Sequence, residues 1–483
     1  MAATAYYIDP LWIMHKKIIA FKIIEYPHNA PNIFSAIMNV IREYKCESKI
    51  RSFTFDNANV NKPVIEKLQL PEFGDFLFHI RCVCHILNLI VQDGLKHVKD
   101  EIQEIRDALI YITISPSRKQ AFEDFCANHG VSHSKTFISD VAQRWNSTYL
   151  LLKSCEGFEH LITEFYNSRH FRDDEETVLI ESDWILITKI KHFLKSFYDA
   201  TNILSGVYYP TSCMVLQRLY LVARAFDRFK NDPDFSSVIN VMELKFRKYW
   251  EDLPMLFPLA CIMDPQYNLS GTKFIIERMS ESLTFNIPIT YRNLEATLSE
   301  MYVIYASRMG TQVTRVPFGS TSTPPTNLGD DDAEILNLFE GMNSYRYGQI
   351  GNAYDSSSHS SLSSTACTSQ NALPTELLDY FNHNWPSNNA LRKNSEEVFD
   401  FWRKYERRWP IVSAMAKDLL TPPVSIVASE SAFSAGSRVL SDIRNRLKED
   451  VLESLMCVKD WQDAYFRLQN KYAEIACSQV SDI

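Results

Sequence analysis

The chain is poor in glycine: 13 residues in 483, and none of them build the Gly-rich loop that cradles a nucleotide phosphate. That counts against a nucleotide-driven enzyme. No run of about 18 apolar residues occurs, which excludes a membrane-spanning helix. The opening residues, Met1-Ala-Ala-Thr-Ala-Tyr-Tyr-Ile-Asp9, lack the basic stretch and apolar segment of a secretory leader. Positive charge is not in excess either. Fifty Lys and Arg against 59 Asp and Glu leave a net charge of −9, with an isoelectric point near 5.8. Such a balance argues against a general coat of phosphate contacts, while leaving room for a local basic groove. The ten cysteines follow no regular frame, so they are expected to be reduced thiols of an intracellular protein. There is no internal repeat and no clustered Lys/Arg import signal.

What is present falls into distinct regions. Thr4 to Ile8 and Lys16 to Tyr26 read as strands separated by a turn at Asp9-Pro10. Ile33, Ile37, Val40 and Ile41 share one face of a helix over residues 33–44. Ile50 to Asp56 alternates and ends on an acid, and Phe76 to Cys82 is a further strand. This order predicts a mixed α/β sheet with at least one crossover. From His85 to about Gly310 the pattern is helical, with Leu186, Ile190, Phe193, Leu194 and Phe197 forming a core-facing stripe. Residues 311–372, rich in Ser, Thr and Asp, read as a flexible linker interrupted by a short helix near Ala333 to Phe339. Helical structure is expected again over 373–465, with residues 466–483 as a tail.

Three groups of residues could carry chemistry. The first is Thr54-Phe-Asp-Asn-Ala-Asn59, an acid at the end of an apolar strand. The second is Arg81-Cys-Val-Cys-His-Ile-Leu-Asn-Leu-Ile90 with Asp140-Val-Ala-Gln-Arg-Trp-Asn-Ser-Thr148. The third is Pro423-Val-Ser-Ile-Val-Ala-Ser-Glu-Ser-Ala-Phe-Ser434, with Arg438, Arg444 and Arg446 downstream. In a helix starting after Pro423, Ile426, Glu430 and Phe433 fall at i, i+4 and i+7, which would turn the Glu430 carboxylate onto the apolar face. A carboxylate there is costly unless it meets a cation or a metal, and Asp56 is its natural partner around Mg²⁺ or Mn²⁺. The alternative is a carboxylate that is solvated or paired with Arg438. A zinc site at Cys82, Cys84 and His85 lacks a second ligand pair at finger spacing.

Taken together in this order, the blocks resemble the hAT family of DNA transposases, in particular its Ac-like and ricesleeper-type members, from Ala5 to Trp461. The resemblance implies a ribonuclease H-like core holding an Asp, Asp, Glu triad around two metal ions, with a large helical domain inserted before the Glu. Asp56 and Glu430, 374 residues apart, then match the second and third acids and would be catalytic and metal-binding. His85, Arg144, Trp145, Arg438 and Arg444 are the implied DNA contacts. Trp145 would stack on a flipped base, or else be a core residue of the insertion. Residues 1–84 are the N-terminal part of the core, 85–310 the helical insertion and 373–465 the dimerisation region that carries the third acid. Phe399, Trp402 and Trp409 form an aromatic ridge assigned to dimerisation, the alternative being that it packs inside its own domain.

The segment that would carry the family's first acid and its strand, and the zinc-finger module that recognises transposon ends, are not found in these residues. The chain is therefore expected to be a transposase-derived, DNA-associated, dimerising nuclear protein without catalysis, a truncated or domesticated product. The alternative is a fragment of an active metal-dependent transposase. Its partners are expected to be DNA and a second copy of itself, with no membrane and no nucleotide. Mg²⁺ or Mn²⁺ would be needed only if it cuts.

Overall fold

The computed structural model describes residues 1–132, 137–138, 145–168, 179–251, 253–283, 291–311, 313, 315–317, 338, 342, 372–383, 397–440 and 447–481. Strands β1 (Ala2–Ile8) and β2 (Met14–Phe21) pair antiparallel, from Ala2 opposite Phe21 to Ile8 opposite Met14. Asp9 organises the turn between them. Its Oδ1 accepts from the amides of Leu11 (2.8 Å) and Ile13 (2.9 Å), and its Oδ2 meets His15 Nε2 at 2.9 Å. Trp12 in this turn takes a φ of +59°, a backbone state that a bulky residue adopts only when its surroundings impose it. Here Trp402 stacks on the indole with centroids 6.0 Å apart, and the Lys417 ammonium lies 4.6 Å from the ring.

Helix α1 (Ala30–Glu43) begins where Asn29 accepts from the Asn32 amide at 3.0 Å, an N-cap with Pro31 in the first turn. Strand β3 (Ser52–Phe55), helix α2 (Asn61–Leu68) and strand β4 (Phe78–Arg81) form a crossover unit, with β3 and β4 parallel. Parallel strands need such a connection. Met38, Ile41, Val64, Leu68 and Phe73 close a small core over Phe53 and Phe55.

The strands lie where the pattern predicts, but a single mixed sheet does not form among the described residues. The hairpin β1–β2 and the pair β3–β4 remain separate two-stranded sheets. The segment 421–439 joins them. Thr54 Oγ1 donates to the Pro423 carbonyl at 2.6 Å and the Val83 amide to that of Val424 at 2.9 Å. The helix Val427–Val439 then crosses to β1, where Ser429 and Thr4 hydroxyls meet at 2.9 Å. At Gly436 the helix comes so close to Phe21 that a Cβ would stand 2.8 Å from the ring.

The long C-terminal helix (Glu449–Ser481) covers the outer edge of β2. Asp460 Oδ2 accepts from the Ile18 amide (2.8 Å) and Glu453 Oε1 from the Phe21 amide (3.2 Å), while Glu449 accepts from Ile23. Lys16 pairs with Asp460, and Trp461 Nε1 donates to the Ile18 carbonyl at 2.8 Å. Acids at 449, 453 and 460 share one helix face, so one face satisfies an edge that would otherwise be open. The helix continues through residues read as a tail, which corrects that expectation.

The rest is helical. Helix α3 (Val83–Leu95) follows β4 directly, and the helices Glu181–Leu204, Val215–Phe229 and Ser236–Trp250 pack around Phe193, Phe197, Phe226, Phe235 and Phe246. Ile190, Phe193, Leu194 and Phe197 are buried as their spacing predicts. The segment 311–372 differs from expectation at its described points. Strands β5 (Arg315–Pro317) and β6 (Ala372–Pro374) pair antiparallel, and Leu338 and Met342 are buried in the main core. The remainder of that segment lies outside the described residues.

The aromatic ridge is core, not interface. Phe399, Trp402 and Trp409 are buried, Trp402 Nε1 donates to the Met263 carbonyl at 2.8 Å and Trp409 Nε1 to Asp379 Oδ2 at 2.8 Å. Their donors and faces are consumed within the chain, so the dimerisation role read for Phe399, Trp402 and Trp409 is corrected. The i, i+3 spacing of an aromatic stripe is the same whether it meets a second chain or the body of its own.

Candidate nucleic-acid site at the tips of the parallel strands

Asp56 follows β3 at its carboxyl end. Its Oδ1 accepts from the Ala58 amide at 3.0 Å and from Asn61 Nδ2 at 2.6 Å, and Asn61 Nδ2 also reaches the Asp56 carbonyl at 3.3 Å. The Asp-Asn-Ala-x-x-Asn spacing thus closes one turn in which Asn61 fixes the carboxylate, a role that the sequence did not assign. Beside it, both polar atoms of the Asn57 side chain are enclosed without a partner.

The neighbouring tip belongs to Cys82, which sits between β4 and α3 as predicted. Its amide donates to the Phe55 carbonyl at 2.7 Å, which ties it to the residue before Asp56. Its thiol lies in hydrogen-bond reach of the Ile426 and His85 backbones. Burial raises the pKa of both Cys82 and Cys84, the latter to about 12, and the charge of Glu430 adds to each rise. The Cys82 junction is thus within electrostatic reach of Glu430 and is tied through a backbone hydrogen bond to Phe55, the residue before Asp56. His85 is half-buried in the first turn of α3.

Glu430 does not share the buried face. That face is Ala428, Ala432 and Gly436, whereas Glu430 is exposed and Phe433 is half-open at 47%. Small residues were chosen for the close approach to β1 and Phe21, so the helix is rotated about its axis relative to the reading from Ile426 and Phe433. In its first turn the carboxylate gains from the helix dipole rather than needing a cation.

Asp56 and Glu430 are hard oxygen donors of the kind that Mg²⁺ or Mn²⁺ takes one or two at a time together with substrate oxygens. Among the described residues no three His, Cys, Asp or Glu are grouped so as to hold an ion, and no step is derived through one.

Trp145 opens the helix Trp145–Ser154 and is 4% exposed within the main core. A stacking platform must offer a ring face, so the base-stacking role is corrected to a packing role. Arg438 is exposed, its Nε donating to the Ser434 carbonyl at 3.3 Å. Arg144 and Arg444 lie outside the described residues.

His79 on β4 carries a measurable consequence. Burial, and then the charge of Arg81, push its imidazole down to about 4 from the usual 6.5, and its Nε2 has no partner. Between those values the unfolded chain takes up a proton that the folded chain refuses. Stability is thus unaffected above pH 6.5 and falls as pH drops from there towards 4. Melting temperatures across that range should fall less steeply in His79→Gln than in the wild type; parallel profiles would show that His79 is not the titrating group.

Sequence reasoning missed one further feature. On the C-terminal helix Val451, Leu455, Val458, Tyr465 and Phe466 are exposed, with Leu455 at 48% and Val458 at 58%. They lie on the face opposite the acids that clasp β2. The 4-3 spacing of 451, 455 and 458 was legible as a second apolar stripe, but the sequence alone does not say which stripe is covered. Phe433 and Leu440 are exposed as well, from the Glu430 helix and its end.

Among the described residues no helix is long and apolar enough to cross a membrane. Comparison with known families matches residues 1–73 to the ZBED1 RNase-like domain, 80–193 to the ZBED1 RNase-like helical domain, 206–305 to "hAT-like transposase, RNase-H fold" and 376–462 to the hAT family C-terminal dimerisation region. A putative AC transposase of Zea mays is 27% identical over 475 residues, covering 95% of this chain and 54% of that protein. The zinc finger BED domain-containing protein RICESLEEPER 2 of Oryza sativa is 25% identical, over 94% of this chain and 62% of its own. DAYSLEEPER of Arabidopsis thaliana is 24% identical, over 95% and 61%. The chain spans little more than half the length of these relatives. With RNase H-type, helical and dimerisation segments matched in order along one polypeptide, this chain is similar to hAT transposases over most of its length.

Proposed function

We propose that this chain is a transposase-derived nuclear protein that associates with DNA as a self-assembled pair, and that these 483 residues by themselves do not cut it. The observation that carries the reading is the coincidence of the matched dimerisation region, 376–462, with an exposed apolar stripe on the helix that ends it. A contiguous apolar face of that kind on a folded chain marks a partner surface. Self-association there would leave the strand tips open to DNA.

The absence of cleavage is argued from the acids. Phosphoryl transfer by two metal ions relies on carboxylates that clamp both ions, and among the described residues no group of three such donors forms. Domestication, with DNA occupancy retained and cutting lost, is the history that this arrangement suits. A second reading, strand cleavage completed by a carboxylate from another segment or chain, draws on the Asn61 clamp, which keeps Asp56 in one orientation. The deciding experiment incubates the purified chain with supercoiled DNA and Mg²⁺ or Mn²⁺. Salt-dependent DNA binding without nicking is expected. Nicking that Glu430→Gln abolishes would establish the second reading instead.

A further inference from the structure

We propose that the gap between the two sheets is a β-strand acceptor, which takes an extended segment of a separate polypeptide between the outer edges of β1 and β3. The hydrogen-bond pattern shows which backbone groups those edges offer. On β2 the backbone groups of Met14, Ile18 and Phe21 point outward, where Arg467, Asp460, Trp461 and Glu453 meet them. Their partners in the antiparallel register are Ile8, Thr4 and Ala2. Residues opposite one another in such pairs turn their N–H and C=O groups to opposite edges. Ala2, Thr4, Ile8 and, in the same alternation, Tyr6 therefore direct theirs away from β2. On β3 the carbonyls of Arg51 and Phe55 accept from Phe78 and Cys82, which leaves the groups of Ser52 and Thr54 on the far edge. Among the described residues no hydrogen bond uses the backbone N–H or C=O of Ala2, Thr4, Tyr6, Ile8, Ser52 or Thr54.

The two edges face one another. The segment 421–439 touches β3 at Pro423, β1 at Ser429 and β2 at Gly436. It crosses the strands in that order, so the free side of β1 is the side nearer β3. On the other side of β3, β4 sets Arg81 6.0 Å from the Tyr249 ring of the helix Ser236–Trp250. From Pro423 to Ser429 the chain makes three extended and three helical steps, at most about 15 Å. One inserted strand takes two spacings of about 4.8 Å each.

Open edges are ordinarily shielded by charge, proline or a covering element. Strand β2 has the C-terminal helix, Lys16 and Lys17, whereas β1 (Ala-Ala-Thr-Ala-Tyr-Tyr-Ile) and β3 (Ser-Phe-Thr-Phe) carry neither charge nor proline. Nor is β1 enclosed: none of its residues is buried, against four on β2. Rows of unpaired N–H and C=O groups are matched by another backbone, so the occupant is an extended peptide. The walls set its side chains. The Thr4 and Thr54 hydroxyls lie on the side of segment 421–439, which puts Ala3, Ala5, Phe53 and Phe55 on the opposite side. A peptide that alternates hydroxyl-bearing with β-branched apolar residues meets both. This surface is separate from the apolar stripe of the C-terminal helix and does not depend on DNA.

The test adds to the full chain a labelled peptide in which Thr-Val repeats four times between pairs of lysines. Fluorescence anisotropy reads binding, and amide hydrogen exchange is followed residue by residue. Two further peptides carry N-methyl groups on the threonines only or on the valines only, so that each blocks one edge. Saturable binding is expected, with exchange at Thr4, Tyr6, Ser52 and Thr54 slowed at least tenfold. Either methylated peptide should bind at least tenfold more weakly. Ser52→Pro removes one outward N–H and keeps the pairing with β4; it should weaken the peptide about tenfold at an unchanged melting temperature.

No binding of the unmethylated peptide would overturn the proposal. Slow exchange at those amides in the free chain would mean that the edges are already covered and would overturn it too, with dependence on protein concentration assigning the cover to a second copy. Protection confined to β1, or full affinity with one of the methylated peptides, would mean that a single edge pairs and would overturn the two-edged acceptor.

Discussion

Leu455→Glu combined with Val458→Glu is expected to turn a self-associating protein into a monomer. Both side chains are about half exposed on the outward face of the C-terminal helix, while the inward face holds β2 through Asp460, Glu453 and Glu449. The substitutions therefore leave the fold's own contacts in place. Central apolar residues of an interface contribute on the order of 2 kcal/mol each when truncated, roughly thirty-fold in Kd, and a buried carboxylate without a partner adds to that loss. Sedimentation at micromolar concentration reads the result directly, with circular dichroism to show an unchanged helix content. A double variant that sediments like the wild type would remove this face from the assembly.

The second large effect is in stability. Trp402→Ala should destabilise the chain by about 3–5 kcal/mol, a large share of the roughly 5–15 kcal/mol that keeps a domain folded. Trp402 has no exposed surface, stacks on Trp12 with centroids 6.0 Å apart, packs against the tilted Tyr380 ring at 5.1 Å, and donates to the Met263 carbonyl. Truncation leaves a cavity and an unpaired carbonyl together. Denaturant unfolding measures the fall. The same variant separates core from interface: a ridge facing a second chain would lose association and keep its stability, whereas the packing seen here predicts the reverse.

These two variants also show where local pattern stops being informative. Phe399, Trp402 and Trp409 on one side, and Val451, Leu455 and Val458 on the other, are both apolar stripes at helical spacing. Spacing alone assigns the former to a partner, yet the former is buried inside the chain and the latter is exposed. Trp145 and Glu430 repeat the lesson. A tryptophan suited to stacking is enclosed, and a carboxylate set beside Ile426 and Phe433 is exposed because Ala428, Ala432 and Gly436 face β1.

By itself the sequence determined what depends on neighbours along the chain. It settled the four N-terminal strands with their turn and crossover, the Cys82 junction, the core-facing stripe of the helix Glu181–Leu204 and the blocks that identify the family. Period and residue type fix such features without reference to distant segments. Only the tertiary structure decided that the strands stay as two pairs bridged by the segment 421–439, that Asn61 clamps Asp56, and that acids of the last helix satisfy the edge of β2. Each of these depends on which face of an element is covered by a residue hundreds of positions away, and periodicity carries no information about that.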